Sequence, residues 1–137
     1  MAAELLLDTG AFVALVTPTE KQHAACVTFL QSWRGTVVTT EAVLTETLYL
    51  VGSRWSWQQS CLMFFLRGAF TLMPQTPSTL ERITALMDKY QDVPMDFADA
   101  TLVALGEELE TNQIFTLDRR DFLTYRLNNK TPFQIFP

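Results

Sequence analysis

Short apolar or β-branched segments alternate along the chain with longer segments in which apolar residues recur at helical spacing. The short segments have the composition of strands, and a continuous apolar run is typical of a strand buried on both faces of a parallel sheet. They lie at Leu5–Leu7, Thr36–Thr39, Phe70–Met73, Ile114–Leu117 and Pro132–Phe136, the last as an edge strand. Because helical segments separate the strands throughout, the pattern predicts an α/β fold with a mainly parallel sheet.

The longer segments predict helices with recognisable starts. They span Ala11–Val16, Glu20–Trp33, a segment capped by Thr40, Trp55–Ala69, a segment from Ser78 through Tyr90, and a segment that begins near Pro94, while Phe122–Asn129 is predicted to be a short helix or turn. Thr9 and Gly10 are expected to form the turn before the first helix. Ser78 and Glu81 have the spacing of a capping box.

Two acids follow predicted strands directly. Asp8 comes after Leu5–Leu7, and Asp118 comes after Ile114–Leu117. In an open α/β sheet the loops beyond the carboxyl ends of the strands carry the chemistry, so both side chains are expected at a functional edge. Alone, an Asp at a strand-to-helix turn is as readily explained as a helix cap.

Further acids lie on predicted helices. Asp96 and Asp99 are three residues apart at the start of the helix after Pro94, which places them on the same face. Glu46 lies within the helix capped by Thr40, where a solvent-exposed glutamate is the simpler explanation if it is considered by itself. Gly106 falls inside the later helix, and a glycine is unfavourable there, so we expect close packing at that point.

Composition narrows the possible classes of protein. The chain has 137 residues, of which 48% are hydrophobic and 12% aromatic, enough for a compact domain with an ordinary core. Its net charge of -5 argues against a general DNA coat or a basic membrane binder, because non-specific nucleic-acid affinity comes from neutralising phosphates. A nucleic-acid enzyme is still possible, since metal ions would offset a cluster of acids locally.

Cysteine and histidine are too few for several kinds of site. Cys26 and Cys61 fall in predicted helices without the spacing of metal ligands, so both are expected to be reduced thiols in the core. His23 is the only histidine, which leaves little for a zinc site or a nucleophile–base triad. No signal peptide or membrane-spanning segment is recognised, and a cytoplasmic protein is expected.

The acids that reach one edge of the predicted sheet would repel each other strongly. At about 4 Å and an effective dielectric constant near 20, each pair of carboxylates costs roughly 4 kcal/mol. Protons or cations must offset this cost. Oxygen ligands without histidine or cysteine favour Mg²⁺ or Mn²⁺ over zinc, and such ions bind phosphate oxygens and activate water. The acids therefore indicate hydrolysis of phosphodiester bonds.

Four segments together resemble a known family. In chain order they read LLLDTGAFVAL, TEAVLTE, MDFADATLVALGEEL and IFTLDRRDF. This series is similar to that of PIN domains, and specifically to VapC-type toxins of bacterial and archaeal toxin–antitoxin pairs. The resemblance extends over essentially the whole chain. It implies a single PIN-like domain over residues 1–137, with three layers in the order α/β/α around a mainly parallel sheet.

The resemblance also implies an activity and a set of site residues. The activity is that of an endoribonuclease that depends on Mg²⁺ or Mn²⁺. The residues that match the metal-binding acids of the family are Asp8, Glu46, Asp99 and Asp118. Thr116 matches a position whose hydroxyl supports the site, and Asp96 and Asp121 are interpreted as supporting acids.

Partners follow from the same resemblance. The substrate is expected to be RNA, and Arg119 and Arg120 are the first candidates for contacts with its phosphates, although ordinary solvated charges explain each of them equally well. A small VapB-type antitoxin is expected to inhibit the protein, which is expected to form a homodimer.

Other functions remain open. The main alternative is a non-catalytic PIN-like module that binds a protein or RNA. A receiver-type phosphoacceptor domain is disfavoured, because the acidic pair and the late strand-end lysine of such domains are not apparent. A phosphatase with an Asp nucleophile is disfavoured because Gly10, rather than an acid, stands two residues after Asp8.

Overall fold

A computed structural model describes residues 3–137. Its centre is a sheet of five strands in the order β3-β2-β1-β4-β7, and every pair of neighbours is parallel. The strands of this sheet are β1 (Ala3–Leu7), β2 (Gly35–Thr40), β3 (Phe70–Met73), β4 (Gln113–Phe115) and β7 (Gln134–Phe136). A separate antiparallel pair is formed by β5 (Arg126–Leu127) and β6 (Thr131–Pro132).

Helices flank the sheet and complete a three-layer α/β/α arrangement. Within residues 3–137 they are α1 (Thr9–Val16), α2 (His23–Ser32), α3 (Glu41–Val51), α4 (Trp55–Leu66), α5 (Pro77–Lys89), α6 (Phe97–Leu109) and α7 (Arg119–Thr124). The predicted α/β class and the mainly parallel sheet are therefore confirmed. None of the helices in this part of the chain has both the length and the apolar character needed to cross a membrane.

The core lies between the sheet and its helices, and aromatic rings fill much of it. Phe12 of α1 contacts Phe64 of α4 and Phe70 of β3, with ring centroids 6.0 and 5.4 Å apart. Phe29 of α2 contacts Phe115 of β4 at 4.8 Å. Such edge-to-face pairs stabilise the core beyond the area that they bury. Phe64 thus helps to pack α4 onto the sheet, because its ring also contacts Phe70 of β3.

The structure agrees with the predicted burial of the cysteines and places the histidine in a packing contact. Cys26 and Cys61 are both buried and free. The Nδ1 atom of His23 donates a hydrogen bond to the carbonyl oxygen of Ala14 at 2.6 Å. This contact ties the start of α2 to α1, so His23 is a packing residue.

Several predicted boundaries are wrong for local reasons. The first helix begins at Thr9 rather than after a Thr9–Gly10 turn, because the Asp8 side chain caps it. The capping box of α5 is formed by Thr76 and Thr79, with Pro77 at the first helical position, and not by Ser78 and Glu81.

Other boundaries differ near helix and strand ends. The regular part of α2 starts at His23 instead of Glu20, and α4 ends at Leu66 instead of Ala69, shortly before Gly68 adopts a φ of +81°. The strand predicted through Leu117 ends at Phe115. Near the end of the described chain, α7 begins at Arg119, three residues before the predicted helix or turn, and only Gln134–Phe136 of the predicted edge strand joins the main sheet.

Gly106 packs closely, as predicted. A Cβ atom at this position of α6 would lie 2.8 Å from the Thr111 carbonyl oxygen, 3.0 Å from Leu6 Cδ1 and 3.1 Å from Leu127 Cδ2. Because Gly106 has no side chain, α6 can lie directly against Leu6 of β1 and against Thr111 and Leu127, which follow α6 in the chain.

We expect Gly106→Ala to lower the free energy of unfolding by roughly 1–3 kcal/mol, because backbone and core must shift to admit the methyl group. Gly10→Ala is the matched control, since its Cβ would find no atom closer than Leu117 Cβ at 4.0 Å. The measurement is chemical denaturation of both variants. A Gly106→Ala protein as stable as the original would contradict the packing account.

Candidate active site

Acidic side chains meet at the carboxyl edge of the parallel sheet. Asp8 follows β1, and its backbone N–H continues the ladder to Phe115 of β4 at 3.0 Å. Asp118 lies three residues beyond Phe115 and caps α7. On the other side of β1, strand β2 ends at Thr40, whose hydroxyl caps α3 as predicted and thereby sets the helix that carries Glu46.

These elements enclose a cleft of about 500 Å³ at this edge. The residues that line it are Asp8, Thr9, Gly10, Glu46, Leu50, Pro94, Asp96, Asp99, Leu117, Asp118 and Asp121. Six of them are acids, and the lining contains no lysine, arginine or histidine. The structure therefore brings together all of the predicted acids, from segments far apart in the sequence. Their roles in binding and catalysis remain predictions.

Asp8 is held rigidly at the floor of the cleft. Its Oδ1 accepts a hydrogen bond from the Thr9 backbone N–H at 2.8 Å, and its Oδ2 accepts one from the Thr116 hydroxyl at 2.6 Å. The Thr116 oxygen in turn accepts from the backbone N–H of Asp118 at 2.9 Å. Thr116 thus links two of the acids, and its supporting role in the site remains a prediction.

Asp99 lies in the first turn of α6 and is only 8% exposed. Its backbone N–H donates to Asp96 Oδ1 at 2.8 Å, so Asp96 acts as the helix cap. The Oδ2 atom of Asp99 accepts a hydrogen bond from the hydroxyl of Tyr125 at 2.9 Å.

The remaining acids are more open to solvent. Asp118 is exposed, and its Oδ1 accepts the backbone N–H of Asp121 at 3.2 Å, which caps α7. Glu46 and Asp121 are half-buried. The cleft therefore combines two deeply buried carboxyls, Asp8 and Asp99, with more accessible ones at its rim.

Burial and mutual repulsion disfavour the charged forms of the two buried acids. Removal from water raises the pKa of Asp8 to about 6, with a smaller contribution from Asp118 and Glu46, while its bonds from Thr116 and Thr9 act in the opposite direction. Removal from water also raises the pKa of Asp99 to about 8, followed by repulsion from Asp8 and Asp96, against a lowering contribution from Tyr125. No lysine, arginine or histidine in the cleft lining offsets these effects at Asp8 and Asp99.

Tyr125 is the site residue that sequence reasoning missed. It falls within a segment predicted only as a helix or turn, and it contacts an acid 26 residues earlier in the chain. The available signal was its position three residues after Phe122, directly after a short helix that Asp118 caps.

The chemistry of the donors fits a hard divalent cation. Every acidic ligand candidate supplies carboxylate oxygen, which Mg²⁺ and Mn²⁺ prefer. Among residues 3–137, no three His, Cys, Asp or Glu side chains are already arranged as a metal-binding group. The carboxylates would therefore have to draw closer around an ion, whose charge would remove their repulsion.

Arg119 and Arg120 lie in the first turn of α7, beside Asp118. Both are exposed, and neither lines the cleft. The structure thus places them next to the acids on the outer surface, where contact with RNA phosphates remains a prediction.

Comparisons with known proteins identify the family and agree with the fold. The model of the PIN domain family matches residues 5–126. Ribonuclease VapC26 of Mycobacterium tuberculosis is 30% identical over 135 residues, which cover 97% of this chain and 100% of the relative. The chain belongs to the PIN-domain family. Membership implies the use of a divalent metal ion.

Solved structures of VapC-type PIN proteins share the fold. VapC20 of Mycobacterium tuberculosis, a Sarcin-Ricin loop cleaving toxin, has a TM-score of 0.74 at 19% identity, with 80% of this chain and 86% of that chain covered. VapBC2 from Rickettsia felis, bound to a DNA fragment from its promoter, has a TM-score of 0.68 at 14% identity. The match covers 98% of this chain and 99% of that chain. At these identities, the likeness concerns the fold alone.

We expect the metal-free PIN domain to lose stability as the pH rises from about 4 to about 8. The ordinary pKa of Asp is 3.8, and that of Asp99 in the folded chain is about 8. Over this interval the folded chain binds more protons than the unfolded chain, so the free energy of unfolding falls with increasing pH. Asp99→Asn, which is neutral at every pH, should be more stable than the original at pH 8.

Urea denaturation of chelator-treated protein at several pH values tests this expectation. Asp92→Asn is the matched control, because Asp92 is exposed and lies outside the cleft. If Asp99→Asn and Asp92→Asn followed the same pH profile as the original chain, the electrostatic description of the site would be wrong.

Proposed function

We propose that the protein is an endoribonuclease of the VapC type, the toxin of a toxin–antitoxin pair, formed by one PIN domain over residues 1–137. The observation that carries the proposal is the cleft in which buried Asp8 and Asp99 face the more open Glu46 and Asp118. The chain belongs to the PIN-domain family and is similar to a protein named as a ribonuclease, and both findings support the same function.

The catalytic ion in this proposal is Mg²⁺ or Mn²⁺, held by Asp8, Glu46, Asp99 and Asp118. When bound, such an ion lowers the pKa of a water molecule and stabilises the charge that develops on phosphate oxygens. Asp8 and Asp99 supply fixed oxygens because hydrogen bonds orient them. Glu46 and Asp118, near the entrance, can adjust to the ion and to the substrate.

Residues that do not bind the ion set the geometry of those that do. Thr116 restrains Asp8 through its hydroxyl and Asp118 through the backbone. Asp96 caps α6 and so holds the turn that presents Asp99. In this proposal Asp96 supports the site by capping α6, and Asp121 supports it from the first turn of α7, where its backbone N–H donates to Asp118 Oδ1.

The RNA reaches the cleft from the side of α7. The charged acids of the cleft would repel a phosphate, and a cation held by Asp8, Glu46, Asp99 and Asp118 would offset that repulsion. Arg119 and Arg120, exposed at the start of α7, are positioned to attract the flanking phosphates. Single-stranded or looped RNA fits best, because its phosphates can enter a recessed site more readily than those of a regular helix.

The proposed partner is a VapB-type antitoxin, and the proposed assembly is a homodimer in the cytoplasm. Structural neighbours include a VapBC complex, which supports the partner. A cationic side chain of the antitoxin could occupy the acidic cleft and compete with the ion. Next to the cleft, α3 and α6 form a largely apolar groove that includes Ala42, Tyr49 and Phe97. An antitoxin segment with a side chain in the cleft could extend into this groove.

A binding module without catalysis is the second candidate. The observation that favours it is the lack, within residues 3–137, of acids already arranged around a metal position. Such a module would keep the groove and the fold but would have no use for two buried acids whose charged forms are disfavoured.

We expect purified, antitoxin-free protein to cut a pool of cellular RNA into discrete fragments with Mg²⁺ or Mn²⁺ and to stop when a chelator is added. Asp8→Asn and Asp99→Asn should slow cleavage by at least about 100-fold, because each removes a charged ligand from the ion that activates water. Gel or sequencing analysis of the fragments measures the rates.

Asp92→Asn serves again as the control and should cleave like the original protein. Cleavage that survives both cleft variants would indicate a contaminating nuclease or another site. A folded protein that binds antitoxin and cuts nothing under any of these conditions would instead support the binding module.

A further inference from the structure

The hydrogen bond between Tyr125 and Asp99 joins two parts of the site that the sequence separates. The Tyr125 hydroxyl donates to Asp99 Oδ2 at 2.9 Å. A carboxylate oxygen only accepts, so the phenol is the donor whenever Asp99 is charged. Of all the hydrogen bonds to cleft acids within residues 3–137, this one alone comes from an aromatic side chain.

The phenol is fixed on all sides. Tyr125 is fully buried, and its ring packs at right angles to that of Phe122 with centroids 5.2 Å apart. The ring of Tyr90 also contacts that of Tyr125, with centroids 5.1 Å apart. The Tyr125 backbone N–H donates to the Asp121 carbonyl oxygen at 3.0 Å. The hydroxyl therefore has little freedom to follow a moving carboxylate and instead restrains it.

The two ends of α7 both serve the site. Asp118 caps the helix at its start, and Tyr125 is the residue at its C-terminal end. The helix therefore presents one acid directly and orients another, Asp99 of α6, through the phenol. This connection sets the relative positions of Asp118 and Asp99, two residues that share no hydrogen bond of their own in residues 3–137.

A neutral donor has a particular advantage at this point. Lys or Arg would orient Asp99 equally well, but their charge would also pair with the carboxylate and compete with a cation. Tyr125 occupies only Oδ2, and no protein group in the described part of the chain donates to Oδ1. One oxygen of this buried carboxyl is therefore held while the other remains available to an ion in the cleft.

We propose that Tyr125 is a positioning residue that orients Asp99 for a divalent cation through this hydrogen bond. The inference rests on the proposed function and deepens it, because it gives a residue outside the four acids a role in orienting one of the proposed ligands. Outer hydrogen-bond partners of this kind typically contribute a factor of 10 to 100 to metal affinity.

Tyr125→Phe tests the proposal while keeping the ring and its contacts with Phe122 and Tyr90. We expect the dissociation constant for Mn²⁺, measured by calorimetry or by the electron paramagnetic resonance of free Mn²⁺, to rise by roughly 10- to 100-fold. The Mn²⁺ concentration that gives half-maximal RNA cleavage should rise by a similar factor, because cleavage requires the ion that Asp99 helps to hold.

Tyr90→Phe is the matched control. Its hydroxyl accepts the Arg126 backbone N–H at 3.1 Å and lies in the same aromatic cluster, but it forms no hydrogen bond with a cleft acid. Unchanged Mn²⁺ affinity in Tyr125→Phe would overturn the proposal. Equal weakening in both variants would also overturn it, because the effect would then belong to the packing of the cluster.

A measurement on the unmodified chain covers the case in which Tyr125→Phe does not fold. The protein has three tyrosines, so tyrosine labelled with ¹³C at the ring carbon that bears the hydroxyl gives three signals. Titration with Mg²⁺ should shift the Tyr125 signal more than those of Tyr49 and Tyr90. A Tyr125 signal that stays unchanged while Mg²⁺ binds would contradict the inference.

The proposed function fails in a different way. If the original protein bound neither Mg²⁺ nor Mn²⁺, both the proposed function and the role of Tyr125 would fall. If the ion bound and supported cleavage but Tyr125→Phe behaved like the original, only the role of Tyr125 would be wrong.

Discussion

Burial of carboxyl groups that also repel each other is the constraint on which the site depends. A parallel sheet brings the ends of its central strands to one edge, and Asp8 and Asp118 come to that edge because they follow neighbouring strands. Helices α3 and α6 add Glu46 and Asp99. Burial then makes the charges of Asp8 and Asp99 costly, so the folded chain favours any partner that supplies positive charge.

Neutral hydrogen-bond donors hold these buried carboxyl groups in place. The Thr116 hydroxyl restrains Asp8, and the Tyr125 hydroxyl restrains Asp99. The salt bridge between Arg82 and Glu107 is bidentate and lies outside the cleft lining. Neutral donors orient the carboxylates without cancelling their negative charge. Their use here suits a site whose charge must remain available to bind a cation.

Local chemistry explains what could be predicted. Strand β3 at Phe70–Met73 and the Thr40 cap depend on residue type and near neighbours, and both were predicted correctly. The acids could be placed at one edge because parallel topology alone brings strand ends together. The Tyr125 contact could not be predicted, since it depends on how α7 packs against α6. The α5 capping box was misplaced because Ser78 and Thr76 offer competing caps two residues apart.

The most direct test of the central claim is the number of protons released when the metal-free protein binds Mg²⁺ or Mn²⁺. Calorimetry in two buffers of different ionisation enthalpy measures it. With pKa values of about 6 for Asp8 and about 8 for Asp99, binding at pH 7 should release about one proton per protein, and the release should disappear well above pH 8. Binding without proton release at pH 7, or no binding, would contradict the account.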